Sequence, residues 1–371
     1  MKFTVKTVAA AGTLTAATFA LTPLHAGGMD RTQTPIDLIF QKGNYGELSF
    51  GMATAELSGR DVLGNAISDI AGDFSIIGAG LKMQFSEKFS FSLIFDQPYW
   101  ADVQYGGNPA TTMLGGSMAK ADSSALTAIF KYNFNDRYSV YGGPRLVQAD
   151  GEITLSGNAY GPLNGYNVKF GKDQALGYVV GAAYEIPKIA FRASLTYHSR
   201  IALDLPTIQT APGGVPTTTP STSSDLPQSI KLAVQSGVAA DTVVFGSVRW
   251  SEWSKFELDP VGLTPNLASL EDSMTYEIGV GRRFTDKISA RVSYIYESGG
   301  SDDLVSPLSP VNGEQAVTLG GTYQINETVS LSAGLRYTWL GDGNPETGNT
   351  SRGSFTNNSA ISGGMKIGIS F

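Results

Sequence analysis

Side chains able to move protons near neutral pH are scarce in this chain of 371 residues, which holds two histidines, His25 and His198, and no cysteine. His198 is followed by Ser199, so spacing alone would allow the nucleophile and base of a serine hydrolase. No GxSxG motif surrounds them, and an ordinary histidine near the end of a strand is the simpler reading. Asp302-Asp303 is a short acidic pair in a loop, weak as a calcium site. No His/Cys cluster has the spacing of a zinc site. No catalytic residue, metal or cofactor is assigned.

The charges are a more informative set. Lys82, Lys131, Arg145, Arg192, Arg249, Arg283, Arg291, Arg336 and Lys366 each sit between apolar residues in alternating segments. Glu47, Asp96, Glu185 and Glu277 share that placement, with Glu297 near a segment end. On a strand, alternate residues face opposite sides, so these charges share the face away from the apolar band. Two readings stay open. The charges can pair across an interior and brace its wall, since a buried charge costs several kcal/mol unless paired or wet. Unpaired guanidinium groups can also attract an anionic headgroup through charge and fork geometry.

The elements that must position them are strands. Alternation predicts them at 45–55, 73–85, 89–96, 124–134, 138–153, 174–186, 189–203, 228–238, 242–253, 274–284, 288–297, 316–325, 328–340 and 360–371. Connections alternate in length. Ser86-Glu87-Lys88, Asn135-Asp136-Arg137 and Asn326-Glu327 are tight turns, whereas 56–72, 97–123, 154–173, 204–227, 254–273, 298–315 and 341–359 are long. Short turns on one rim and long loops on the other are the asymmetry of an outer-membrane barrel, short turns periplasmic. Phe89, Phe91, Leu93 and Phe95, or Val329, Leu331, Leu335, Tyr337 and Trp339, then form lipid-facing bands. The expected fold is all-β: a transmembrane antiparallel β-barrel of about 14 strands with a short N-terminal plug segment. An even strand number puts both termini in the periplasm.

Composition agrees. The chain is 42% hydrophobic but only 16% charged, with 44 glycines, and its near-neutral mean hydropathy leaves no room for helices in lipid. Lys2 and Lys6 followed by an apolar run to Leu21 and Leu24-His25-Ala26 form a secretory signal over 1–26. The formal net charge of −7 argues against a nucleic-acid partner. Residues 27–44 hold an apolar cluster, Ile36, Leu38, Ile39 and Phe40, expected to plug the barrel formed by 45–371. Pro98 cannot donate to a ladder, so it either disturbs the wall and opens a lateral gap or starts an outer loop.

Residues 361–371, ISGGMKIGISF, resemble the closing strand of outer-membrane barrels, whose final aromatic, here Phe371, is part of the signal read by the barrel-assembly machinery. Three stretches resemble the FadL family of transporters for long-chain fatty acids and other hydrophobic compounds. They are FSFSLIFDQPYWADVQY at 89–105, YEIPKIAFRASLTYHSRIALDL at 184–205 and LPQSIKLAVQSGVAADTVVFGSVRWSEWSKFE at 226–257. The family's longer hatch, with its Asn-Pro-Ala signature, has no counterpart before Asn44. The resemblance implies a monomer in the outer membrane that passively takes up a hydrophobic compound, such as a long-chain fatty acid. Capture would be at the outer loops and exit sideways through the wall into the outer-membrane lipids. Parity and strand level suggest headgroup capture by His198, Arg200 and Arg249, with Trp100 and Trp253 touching the tail. The alternatives are a general or anion-preferring porin and an outer-membrane lipid hydrolase.

Overall fold

The computed structural model describes residues 29–263, 266–268 and 270–371; the expected signal at 1–26 lies outside them. Fourteen strands close into an antiparallel barrel. They are β1 (Tyr45–Glu56), β2 (Phe74–Gln84), β3 (Phe89–Asp96), β4 (Met118–Asn133), β5 (Tyr138–Leu155), β6 (Tyr166–Ile186) and β7 (Phe191–His198). The second half is β8 (Ser229–Ala239), β9 (Thr242–Ser251), β10 (Ser273–Arg283), β11 (Ile288–Glu297), β12 (Glu314–Gln324), β13 (Val329–Leu340) and β14 (Ser359–Ser370). Closure comes from β14 lying along β1, from Tyr45 opposite Ser370 to Glu56 opposite Ser359. Every strand of the barrel is thus paired on both sides over at least part of its length, as a wall in lipid requires.

Four of the short turns share one device. Ser86, Asn135, Thr285 and Asn326 each use a side-chain oxygen to accept the amide of the residue that restarts the strand. That oxygen replaces a ladder partner where the chain reverses, which is why Ser, Thr and Asn recur there.

The other rim departs from the sequence reading. β4 begins six residues earlier than expected and β6 eight residues earlier, so both rise well past the rest of the wall. The segment expected as a loop at 204–227 is largely a hairpin, Ile201–Thr210 with Thr217–Leu226, which pairs with the upper part of β6. The strand expected over 189–203 is two strands, broken at Ser199 and Arg200.

A second irregularity lies in the wall itself. β3 pairs with β2 only from Ala79 opposite Phe95 down to Gln84 opposite Ser90. The chain then leaves the ladder at Gln97-Pro98 and resumes as Trp100–Gln104 against β4. The two sides rejoin above, where Gly72 donates to the Asp102 carbonyl at 2.9 Å and Ala71 bridges Val103. Between these limits the stretch of β2 from Phe74 to Gly78 has a ladder only with β1. Pro98 therefore sits at a break in the wall, not merely at the start of a loop.

Candidate functional site

The inner segment ahead of β1 runs up the barrel interior. At the end with the short turns, Ile36–Phe40 makes one 3-10 turn, and Leu38 and Ile39 are buried against Ile94, Ile129, Tyr141 and Ala183. Gly80 makes room for it: a Cβ there would stand 3.0 Å from Leu38. The Phe40 ring lies under two cations, with Arg192 Cζ 4.1 Å and Lys131 Nζ 4.4 Å from its centroid. Such cation–π contacts let the inserted segment hold charged wall residues with an apolar side chain.

The wall's cations are mostly paired. Lys366 meets Glu47 at 3.0 Å, Arg336 meets Glu314 at 3.0 Å, Lys131 meets Glu185 at 3.6 Å and Arg145 meets Asp96 at 3.9 Å. Two further acids come from the inner segment: Asp37 reaches Arg192 at 3.1 Å, and Asp30 reaches Arg249 at 2.6 Å. The bracing reading thus holds for these six, and the inner segment supplies part of the balance. Arg283 pairs with Asp241 of a neighbouring short turn. Lys231, which the sequence reading did not single out, also faces inward and donates to Gln33 at 2.6 Å. Of these groups, Arg145, Arg192, Lys231, Arg249 and Arg336, with Asp30, Gln33 and Asp37 of the inner segment, line a polar chamber of about 190 Å³.

Above it the interior changes character. Tyr99, Ile153, Phe170, Leu203, Leu205, Leu226, Phe256 and Leu258 enclose an apolar cavity of about 80 Å³, with Met29 at its margin. Trp253 is fully buried beside it, edge-on to Tyr99 and Phe256. Tyr99 borders both chambers, and its bridge to Asp30 is the partition between them.

The same crossing seals the wall break. Trp100 donates its amide to the Met29 carbonyl at 3.0 Å, and Arg31 donates its own to Pro98 at 2.7 Å. Arg31 Cζ lies 5.4 Å from each of the Phe74 and Trp100 rings, which are 4.6 Å apart. From outside, the Gln97 side-chain oxygen accepts the Ile77 amide at 2.9 Å.

The expected headgroup trio is not one cluster. Arg249 and His198 line the lower chamber, but Arg200 follows the strand break and stands outside it. Its guanidinium donates to Glu252 at 2.7 Å and Asp225 at 3.4 Å. This hydrogen bond holds the Glu252 carboxyl below its usual range. Parity assumed an unbroken strand, so it put Arg200 inward wrongly. Of the aromatic pair, Trp253 stands by the apolar cavity, whereas Trp100 stands at the wall break. Among the described residues His198 Nε2 is buried without a hydrogen-bond partner, and Ser199 Oγ instead accepts the Tyr178 amide at 2.9 Å. The two do not form a nucleophile–base pair. Among the described residues no acidic or histidine cluster could hold a metal ion.

The sequence matches no curated protein. Its fold is similar to the crystal structure of a Pseudomonas aeruginosa FadL homologue, with 15% identity, a TM-score of 0.73, and coverage of 91% of this chain and 93% of that one. The Pseudomonas putida toluene transporter TodX gives 15% identity and a TM-score of 0.68 over 96% of this chain and 99% of that one. The monoaromatic hydrocarbon channel CymD gives 13% identity and 0.61 over 97% of each. At these identities the likeness concerns the fold. The family itself comes from residues 41–367, which match the family described as outer membrane protein transport protein (OMPP1/FadL/TodX). The chain belongs to that family, which groups transport channels of the outer membrane rather than enzymes.

Proposed function

We propose that the protein passes hydrophobic small molecules, long-chain fatty acids among them, from the outer face into the outer-membrane lipids. The observation that carries this reading is an apolar cavity bordered by Met29, Tyr99 and Ala101, beside a wall break that Met29 and Arg31 bridge through their backbone bonds to Trp100 and Pro98. An apolar tail gains by leaving water for the upper cavity, and its carboxylate needs the cations below to offset desolvation. The tail site comprises Trp253 and the cavity lining, with Trp100 along the exit at Pro98. The head site comprises His198 and Arg249, with Arg200 at the mouth as a first attraction.

In this reading 1–26 is an export signal and 27–44 the plug, with Ile36, Leu38, Ile39 and Phe40 as its stopper. The strand count puts both termini in the periplasm, and the chain acts as a monomer. Phe371 is then the residue offered to the barrel-assembly machinery. The test is equilibrium binding in detergent followed by uptake in liposomes. Saturable binding of dodecanoate or toluene, with little steady ion current, is the expected result. A steady open-channel current without saturable binding would instead support a porin.

A further inference from the structure

Lys231 and Arg249 stand directly opposite each other on β8 and β9, both inward. Like charges so placed repel, and Asp37 and Glu277, which line the same chamber, offset part of that repulsion at Lys231. Thr196 and His198 of β7 complete the patch: Thr196 is opposite Lys231, and His198 is opposite Ser229. Arg145 borders the same chamber, and its own carboxylate, Asp96, is 3.9 Å away and also accepts from Thr32 and Thr34. The carboxylate that does reach Arg249, at 2.6 Å, belongs not to the wall but to Asp30 of the inner segment. Asp30 is itself buried, directly beneath the apolar cavity that Met29 borders.

We infer that Arg249, Lys231 and His198 form a carboxylate site and that Asp30 is its tethered occupant, holding the place a cargo carboxylate takes. This rests on the reading of the protein as a channel for hydrophobic compounds and narrows it to acids. A cargo acid with its tail in the upper cavity has its head at the level of the Asp30–Tyr99 partition. Taking Arg249 from Asp30 replaces one charge-assisted contact by another, so no cation is left bare. The exchange also frees the residues beside Asp30. Those are Met29 and Arg31, whose backbone bonds to Trp100 and Pro98 cross the wall break. A neutral hydrocarbon or alcohol can fill the cavity but has nothing to trade for Asp30.

The test compares dodecanoate with dodecanol on the full-length protein in detergent. Asp30→Asn removes the competing charge with little change of shape, so dodecanoate should bind roughly tenfold more tightly, with dodecanol unchanged. Adding Arg249→Gln should abolish the gain. The wild type gives a second measurement that does not depend on a variant assembling. Dodecanoate, but not dodecanol, should speed hydrogen exchange of the Arg31 and Trp100 amides. An unchanged or weaker dodecanoate affinity in Asp30→Asn, an equal change for dodecanol, or exchange indifferent to both ligands would overturn the tethered-occupant inference. Failure of both compounds to bind wild type and variant alike would sink the channel reading and this inference with it.

Discussion

The inner face of β5 changes chemistry partway along its length. Below, the buried Ser139, Tyr141 and Arg145 turn inward, with Arg145 lining the polar chamber; above, Val147, Ile153 and Leu155 pack into the apolar core, with Ile153 lining the upper cavity. Its outer face changes in the opposite sense, from Tyr138, Val140 and Leu146 to Asp150 and Glu152. β4 does the same, with exposed Leu126, Phe130 and Tyr132 giving way to Lys120 and Asp122. The reversal follows the solvent on each side. In the lower region the outside is hydrocarbon and the interior is wet and charged; above it the outside is water and the interior is apolar. One strand thus serves two environments without changing its pleat. The lower region is held by charge pairs and an inserted segment, the upper one by apolar contact.

That difference predicts where single changes hurt. The largest expected effect is in the lower region. Arg336 and Glu314 are both buried and 3.0 Å apart, so Arg336→Met leaves a carboxylate without its guanidinium and should cost about 3–5 kcal/mol. The midpoint of the heat-induced gel shift would report it, and adding Glu314→Gln should recover much of the loss. A loss under about 1 kcal/mol would mean that the other interactions of Glu314, the charge of Arg31 among them, or lumen water suffice to hold its carboxylate. In the upper region, Leu203→Ala should cost about 2–3 kcal/mol, but locally. Protease nicking of the hairpin tip at 211–216 should rise, hydrophobic binding should fall roughly tenfold, and the barrel midpoint should stay put. A matching drop in the midpoint would deny that the two regions are separate.

This inversion also marks how far the sequence could be read. Alternation with apolar side chains on the lipid face located all fourteen barrel strands, because lipid imposes one phase on each of them. It lost β4 above Ser124, β6 above Gln174 and the hairpin at Ile201–Leu226, where the apolar residues switch to the inner face. There Leu203 and Leu205 alternate with Ala202 and Asp204, a pattern legible as a soluble strand but discordant with the phase below. The charge placement was legible on continuous strands for Arg145, Arg192 and Arg249, although Lys231 on β8 was passed over. It failed at Arg200, where the chain breaks and parity no longer carries over. The acids on Asp30 and Asp37 could not be matched to wall cations, since no periodicity links an irregular segment to a strand. Pro98 was a usable signal for the wall break, but Arg31 between Phe74 and Trp100 had none.

A weaker effect is expected from pH, and only among the long loops. Burial raises the Asp61 carboxyl pKa, but hydrogen bonds from Asn65 Nδ2 and the amides of Met113, Asn65 and Leu63 outweigh it and hold it below the usual range. A carboxyl whose folded pKa is depressed adds stability that is fully present above its unfolded value, about 3.9. That stability is lost as pH falls through the folded value. Loop protection from proteolysis should therefore be flat through neutrality and decline below about pH 4. Asp61→Asn should remove that decline while the barrel midpoint stays unchanged. A loop response centred near neutrality would point to another group.

The smallest expected effect tests how the inner segment is held. A Cβ on Gly80 would stand 3.0 and 3.1 Å from the two Leu38 methyls and 3.2 Å from Glu47 Cγ. All three are side-chain atoms able to yield by a few tenths of an ångström. On Gly151, in the upper region, the same Cβ would stand 2.8 Å from the Lys120 carbonyl oxygen, which the β4–β5 ladder holds in place. Gly80→Ala should therefore cost less than about 1 kcal/mol, below the 1–3 typical of overpacking, whereas Gly151→Ala should cost more. Leu38 would move and the inner segment with it, yet the ion pairs of Asp37 and Asp30 would keep that segment seated. Conductance in planar bilayers should then stay at the wild-type level. If Gly80→Ala alone raised it, the seat would depend on the fit of Leu38, and apolar packing rather than charge would govern the lower region too.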